Sequence, residues 1–193
     1  MQDKSESQSP TTALQQIATA FWLTGWISFW IQLVLAVISI IVLLFASLSR
    51  NVGPQNEQSL GTGFGIVLAV SGVVTLGLGV YFAFRYTRIG KSLKSPHSNQ
   101  RPRKADTVQI LRLGLIVNLV GILLTILGAQ AIAGTLLVRS LSIPQGVGAA
   151  IYNAQQNIRP LDIFVVQANT NTVAAHFVGL VASLFLLNRV HRH

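Results

Sequence analysis

Long stretches of this chain carry no charged side chain, and that single feature decides what it can fold into. Residues 21–48, 63–84 and 113–138 are uncharged throughout, and a fourth run, 172–187, is shorter and more polar. A helix crossing the roughly 30 Å hydrocarbon core of a bilayer needs about 20 mostly apolar residues. Only helices and closed barrels satisfy their backbone hydrogen bonds there. Three runs meet the length, and the fourth reaches it by extending upstream through Leu161, Asp162, Ile163, Phe164, Val165 and Val166. The reading is an all-α polytopic membrane protein, a bundle of four transmembrane helices. Composition agrees: 51% of the 193 residues are hydrophobic and 10% charged, against roughly 25% charged in soluble proteins. With 14 Lys+Arg and 5 Asp+Glu, the chain cannot dress a soluble surface. A water-soluble enzyme, a disordered chain and a collagen-like fibre are excluded. The absence of cysteine removes disulfides, iron–sulfur clusters and thiolate metal sites.

One membrane domain is expected over 1–193. It has a polar tail at 1–12, a basic connection at 85–112 and an outer connection at 139–160, with room for a short re-entrant or interfacial helix within 145–158. The first ten residues have no basic region leading into a short apolar core, so no signal peptide is expected. Thr12-Ala13-Leu14-Gln15 fits a capping box, and Leu14, Ile17, Ala18 and Phe21 recur at helical spacing. Either helix 1 begins early and projects into the headgroups, or 9–20 forms a separate interfacial helix.

Charge sets the expected orientation. Lys4, Arg189, Arg192 and the eight basic residues between 85 and 112 fall on one side of a four-span topology; only Arg50, Arg139 and Arg159 fall on the other. Positive residues stay cytoplasmic, so both termini and the basic connection are expected there. That rule accounts for the net charge of +9, and no nucleic-acid partner is expected, since the connection lacks the aromatics that stack bases. Membrane lipids are the expected contact of the basic side. Trp22, Trp26 and Trp30 share a helix face. Trp22 and Tyr86 fit the membrane interface, while Trp26 and Trp30 run deeper and read as packing residues.

Helices in lipid associate through small residues and interhelical hydrogen bonds. Gly114, Asn118, Gly121, Thr125 and Gly128 share one face of helix 3, and Ser71, Thr75, Gly79 and Ala83 recur at steps of four on helix 2. Both faces read as packing surfaces, and Asn118 is expected to point into the bundle. Gln32 lies inside helix 1 and Gln130 near the outer end of helix 3. The most informative segment is 161–177. Along one helix, Asp162, Asn169, His176 and Ser183 recur every seven residues and form a polar stripe. Ionisable groups in a span face the interior and are functional candidates. Residues seven apart are roughly 10 Å apart along a helix, which argues against one shared metal site. Two readings stand: a stripe serving a cation or a proton, with Asn118 as partner, or cap and bend residues at the outer interface. A weaker echo, 43–49 against 136–142 with five of seven positions identical, hints at duplicated hairpins.

The run Leu-Asp-Ile-Phe-Val-Val-Gln-Ala-Asn-Thr-Asn-Thr at 161–172, followed by His176-Phe177, resembles a family found in cyanobacteria and chloroplasts. Its plant members lie in the chloroplast inner envelope and are described both as a subunit of the inner-envelope protein translocon and as an iron permease. The resemblance runs from about Ala13 to Arg189 and implies four helices throughout, with no catalytic residues to carry over. The short N-terminus departs from plant precursors and points to a cyanobacterial plasma or thylakoid membrane. No nucleophile, base and orienter fall together, so no enzyme and no cofactor is expected. A transport-associated role is expected, in a homo-oligomer or a larger membrane complex, with a non-transporting assembly subunit as the alternative.

Overall fold

In the computed structural model, which describes residues 10–51, 60–95, 102–141 and 160–192, the chain forms four helices: α1 (Pro10–Asn51), α2 (Leu60–Leu93), α3 (Lys104–Leu141) and α4 (Pro160–His191). Residues 1–9, the short helix expected within 145–158, and the side chain of Asp162 lie outside the described part. The helices have 42, 34, 38 and 32 residues. At about 1.5 Å per residue each is roughly 50–60 Å long, well beyond the roughly 30 Å core of a bilayer. All four are apolar enough to cross a membrane, and their ends project from it. Helix α1 is unbroken from Pro10, so 9–20 is not a separate interfacial helix but the projecting start of the first span. The basic connection is shorter than its charge pattern suggested: α2 carries it to Leu93 and α3 resumes it at Lys104. Proline opens α1 and α4, where its missing N–H costs nothing.

Each helix packs antiparallel on its sequence neighbours, α4 closes on α1, and α2 meets α4 across the shorter diagonal. The start of α1 and the end of α4 therefore sit at one end of the bundle. Phe21, Tyr86, Ile89, Leu111, Leu186 and Val190 form the apolar layer there. Leu43, Ala46, Ala69, Ile132, Val165 and Ala168 form its counterpart at the far end. Between them lies a polar layer. Ser28, Gln32, Asn118, Thr125, Asn169, Thr172, His176 and Ser183 are all buried, while Leu44, Phe45, Val67, Leu123 and Val138 face outward. The pattern suits a lipid solvent, in which apolar side chains gain nothing by facing inward and polar ones gain partners.

Two helix pairs meet backbone to backbone, and glycine permits it. A Cβ at Gly90 would stand 2.6 Å from the Trp22 amide nitrogen and 2.8 Å from the Ala18 carbonyl; one at Gly25 would stand 2.8 Å from the Thr87 amide nitrogen. These contacts join α1 to α2. On α2 and α3, Gly65 and Gly128 play the same part: a Cβ on Gly128 would lie 3.0 Å from the Ala69 nitrogen and 3.1 Å from the Gly65 carbonyl.

Several residues stand elsewhere than their spacing suggested. Ser71 and Thr75 lie at the edge of the buried face of α2. Their hydroxyls donate to their own helix, Ser71 to Val67 and Leu68 and Thr75 to Ser71. Gly72, one position on, takes the inward place. Tyr86 is in the core rather than at the interface, because it lies on the inward side of α2 with Ala83 and Gly90. Trp30 is 54% exposed and stacks on Trp26 with ring centroids 5.9 Å apart. The deep tryptophans thus pack on each other along the lipid face of α1, not between helices. Trp22 carries the Lys94 ammonium 5.7 Å above its ring, as suits a basic membrane interface.

Candidate functional site

The polar layer is built from all four helices. His176 is completely buried near the middle of α4. Its Nδ1 lies 3.1 Å from Asn118 Oδ1 on α3, and its Nε2 lies 3.2 Å from the Gly72 carbonyl oxygen on α2. Asn118 is held from the other side, its Nδ2 donating to the Gly114 carbonyl at 2.8 Å. That bond fixes which end of the amide faces the imidazole. Gln32 completes the layer from α1. Its Nε2 donates to Ser28 at 2.8 Å, while its Oε1 is buried with no hydrogen-bond partner. A Cβ at Gly79 would stand 2.9 Å from both Gln32 Oε1 and Asn118 Oδ1, so the two amide oxygens converge on the same point of α2.

Glycines in this layer act as sockets for polar side chains. The imidazole of His176 occupies the space a Cβ would take at Gly121. The Tyr86 hydroxyl does the same at Gly114, and Thr125 Oγ1 at Gly72. Gly179 receives the amides of Gln32 and Asn118. The sequence presented Gly114, Gly121 and Gly128 as helix-contact residues; the geometry shows that only Gly128 of the three meets backbone.

Two further hydrogen-bonded groups flank the centre. Toward the basic end, the Tyr86 hydroxyl and Ser183 Oγ are 2.9 Å apart, and Ser183 donates to the Gly179 carbonyl at 2.8 Å. Ser183 therefore accepts from Tyr86. Toward the other end, Ser39 donates to the Ala168 carbonyl at 3.0 Å and Thr172 donates to Ser39 at 3.1 Å, joining α1 to α4. Asn169 is buried beside them, and its Nδ2 has no hydrogen-bond partner among the described residues.

Asn169, His176 and Ser183 thus lie on the buried face of α4, and α4 is continuous from Pro160 through all three. Asn118 meets His176 directly, whereas Asn169 meets neither of them. Asp162 lies on the same helix fourteen residues before His176, roughly 21 Å along the axis. Gln130 is exposed, as are Gln167 and Thr170; Gln167 Nε2 donates to Asn171 Oδ1 at 3.1 Å. Among the described residues, no three His, Asp or Glu side chains come together in a way that could hold a metal ion. Sequence reasoning did not anticipate Gly72, Gly179 and Tyr86. Tyr86 had a usable signal: it is the buried-face neighbour of Gly79 and Ala83 at helical spacing.

A protein family described as "Protein of unknown function (DUF3611)" matches residues 11–191. "Protein TIC 21, chloroplastic" from Arabidopsis thaliana is 32% identical over 195 residues, covering 97% of this chain. The chain spans 62% of that relative's length. No solved structure matches. The family match takes in all four helices and every residue of the polar layer, and the chain belongs to the family described as "Protein of unknown function (DUF3611)".

Proposed function

We propose that this chain is a transport-associated integral membrane protein working within a homo-oligomer or a larger membrane complex. The observation that carries the reading is its 32% identity, over 97% of its length, to Protein TIC 21, chloroplastic. The inner-envelope family it resembles is described as a translocon subunit and as an iron permease, and both descriptions concern transport. The buried polar layer supports the same reading, because polar groups at membrane depth are costly and concentrate where a membrane protein works. Four helices are few for a carrier, which favours an assembly. The cell membrane of placement is the cyanobacterial plasma or thylakoid membrane, and the chain carries no enzymatic activity. A second reading, a non-transporting assembly subunit, draws on the filling of the glycine sockets by side chains across the centre of the bundle.

Purification in mild detergent, with co-purifying proteins identified, and uptake of ferrous iron into reconstituted vesicles test the two together. Transport predicts that Asp162→Asn and His176→Ala lower uptake while the amount of folded protein holds. Unchanged uptake by folded variants, with defined partners, establishes the assembly subunit instead.

The orientation belongs to the same proposal: the end of the bundle holding the start of α1 and the end of α4 faces the cytoplasm. Eleven of the 14 basic residues belong to that side of the chain, and such residues are retained there. Single cysteines make a clean test, since the native chain has none. In sealed right-side-out vesicles an impermeant thiol reagent is expected to label Asn56→Cys and Gln155→Cys and to leave Lys94→Cys unlabelled. Labelling of position 94 from outside would reverse the assignment.

A further inference from the structure

The imidazole of His176 faces an oxygen acceptor at each ring nitrogen: Asn118 Oδ1 at 3.1 Å and the Gly72 carbonyl at 3.2 Å. A neutral imidazole has one N–H to give and one lone pair. In either tautomer one nitrogen lone pair therefore points at an oxygen lone pair. Turning over the Asn118 amide does not relieve this, because its Nδ2 already donates to the Gly114 carbonyl and the turn would set oxygen against oxygen there. A third acceptor, Gln32 Oε1, is buried beside Asn118 with no hydrogen-bond partner among the described residues. The layer holds more acceptors than a neutral ring can fill, and only the imidazolium donates from both nitrogens at once.

We propose that His176, with Asn118 and the Gly72 carbonyl, is a proton-binding site in the middle of the membrane-spanning bundle. Its ligand is a proton delivered from water. A hydronium ion gives up its proton, an N–H bond forms at the unprotonated ring nitrogen, water is left, and the layer gains one positive charge. The Asn118 oxygen and the Gly72 carbonyl, one at each ring nitrogen, take the place of hydration that the buried charge has lost. No other formal charge competes for it among the described residues. From α1 the layer presents Gln32 and Ser28, from α2 Gly72, Leu76 and Gly79, and from α3 Asn118, Gly121 and Thr125. The nearest titratable group facing the centre is Tyr86, whose hydroxyl is engaged by Ser183 two helical turns along α4. Asp162 is four turns from His176 along the same helix.

Protonation has a mechanical consequence. The charged ring ties α4 to α2 and α3 together, whereas the neutral ring keeps one neighbour and loses the other. The bond to Gly72 crosses the α2–α4 diagonal, which is packed more sparsely than the contacts between adjacent helices. The bound proton thus closes that diagonal. This inference does not depend on the transport reading, since an assembly subunit can bind a proton as well.

The test is nitrogen NMR on the full chain in lipid vesicles with its histidines labelled at both ring nitrogens. The chain has four histidines, and the His176 signals are those lost in folded His176→Gln. By about pH 5, both nitrogens of His176 are expected to carry a proton. Asn118→Leu removes one acceptor and is expected to require at least about tenfold more acid for the same doubly protonated fraction, a shift of one pH unit. Asn118→Asp, which keeps the size and adds a carboxylate, is expected to extend that fraction to higher pH and supplies the test if the leucine variant does not fold. A wild-type His176 that stays a single neutral tautomer from about pH 8 to about pH 5 overturns the proposal, as does an Asn118→Asp protein whose His176 signals are unchanged.

Discussion

Replacing Gly121 by leucine is expected to unfold or severely loosen the bundle, whereas Leu123→Ala, two residues away, leaves it nearly unchanged. A side chain at Gly121 starts in the space occupied by the His176 imidazole. The leucine has nowhere to turn, because α3 presents that position to the completely buried ring. Expelling the imidazole also strips Asn118 and Gly72 of a partner, so overpacking and a buried unsatisfied amide add together. Overpacking alone costs about 1–3 kcal/mol and an orphaned buried polar group about 1–3 kcal/mol more. For a chain of this size that lowers the thermal midpoint by roughly 10 °C. Leu123 is 58% exposed on the outer face of α3, and its truncation exchanges lipid contact for lipid contact, with a cost within about 0.5 kcal/mol. Thermal unfolding in one detergent decides the comparison; equal midpoints for the two variants would show that Gly121 is not a socket.

The second large effect separates glycines that are needed from glycines that are not. Gly90→Ala places a Cβ 2.6 Å from one backbone atom of α1 and 2.8 Å from another. Backbone cannot rotate away, so the helices must part, at about 1–3 kcal/mol. Gly77→Ala meets nothing within 4 Å. It keeps only the helical advantage of alanine over glycine, about 1 kcal/mol in a helix interior. The two substitutions are chemically identical and both lie on α2. The first is expected to lower the midpoint by several degrees, and the second to leave it unchanged or raise it. Shifts of the same sign and size would remove the close α1–α2 approach from the account of this fold.

How far the site could be read from the chain differs residue by residue. Asn118 was legible because it shares a face with Gly114 and Gly121. His176 was legible because an imidazole is conspicuous in a span. The seven-residue recurrence placed Asn169 and Ser183 on the same side of α4 as His176. What the recurrence could not give was the neighbour of each: Ser183 meets Tyr86, His176 meets Asn118 and Gly72, and Asn169 Nδ2 has no hydrogen-bond partner among the described residues. Ser71 and Thr75 show the opposite case. Their spacing implied an inward face, yet a hydroxyl in a helix can satisfy itself on the carbonyl a turn back, and both do. Such residues need no partner helix, so their presence does not mark one.

By itself, then, the sequence determined that the chain crosses a membrane, how many times, and roughly where each span lies. Those properties follow from the cost of charge and of unpaired backbone in hydrocarbon, which act on each segment separately. It also determined which residue types would be drawn inward, since lipid gives apolar side chains no reason to leave the surface. Only the tertiary structure decided that Gly72, Gly114, Gly121 and Gly179 are sockets for polar side chains while Gly25, Gly90 and Gly128 are contacts between backbones. A glycine looks the same in the chain either way. The difference lies in what the neighbouring helix presents at that height, and that is set by the register and rotation of four packed helices, which no single segment encodes.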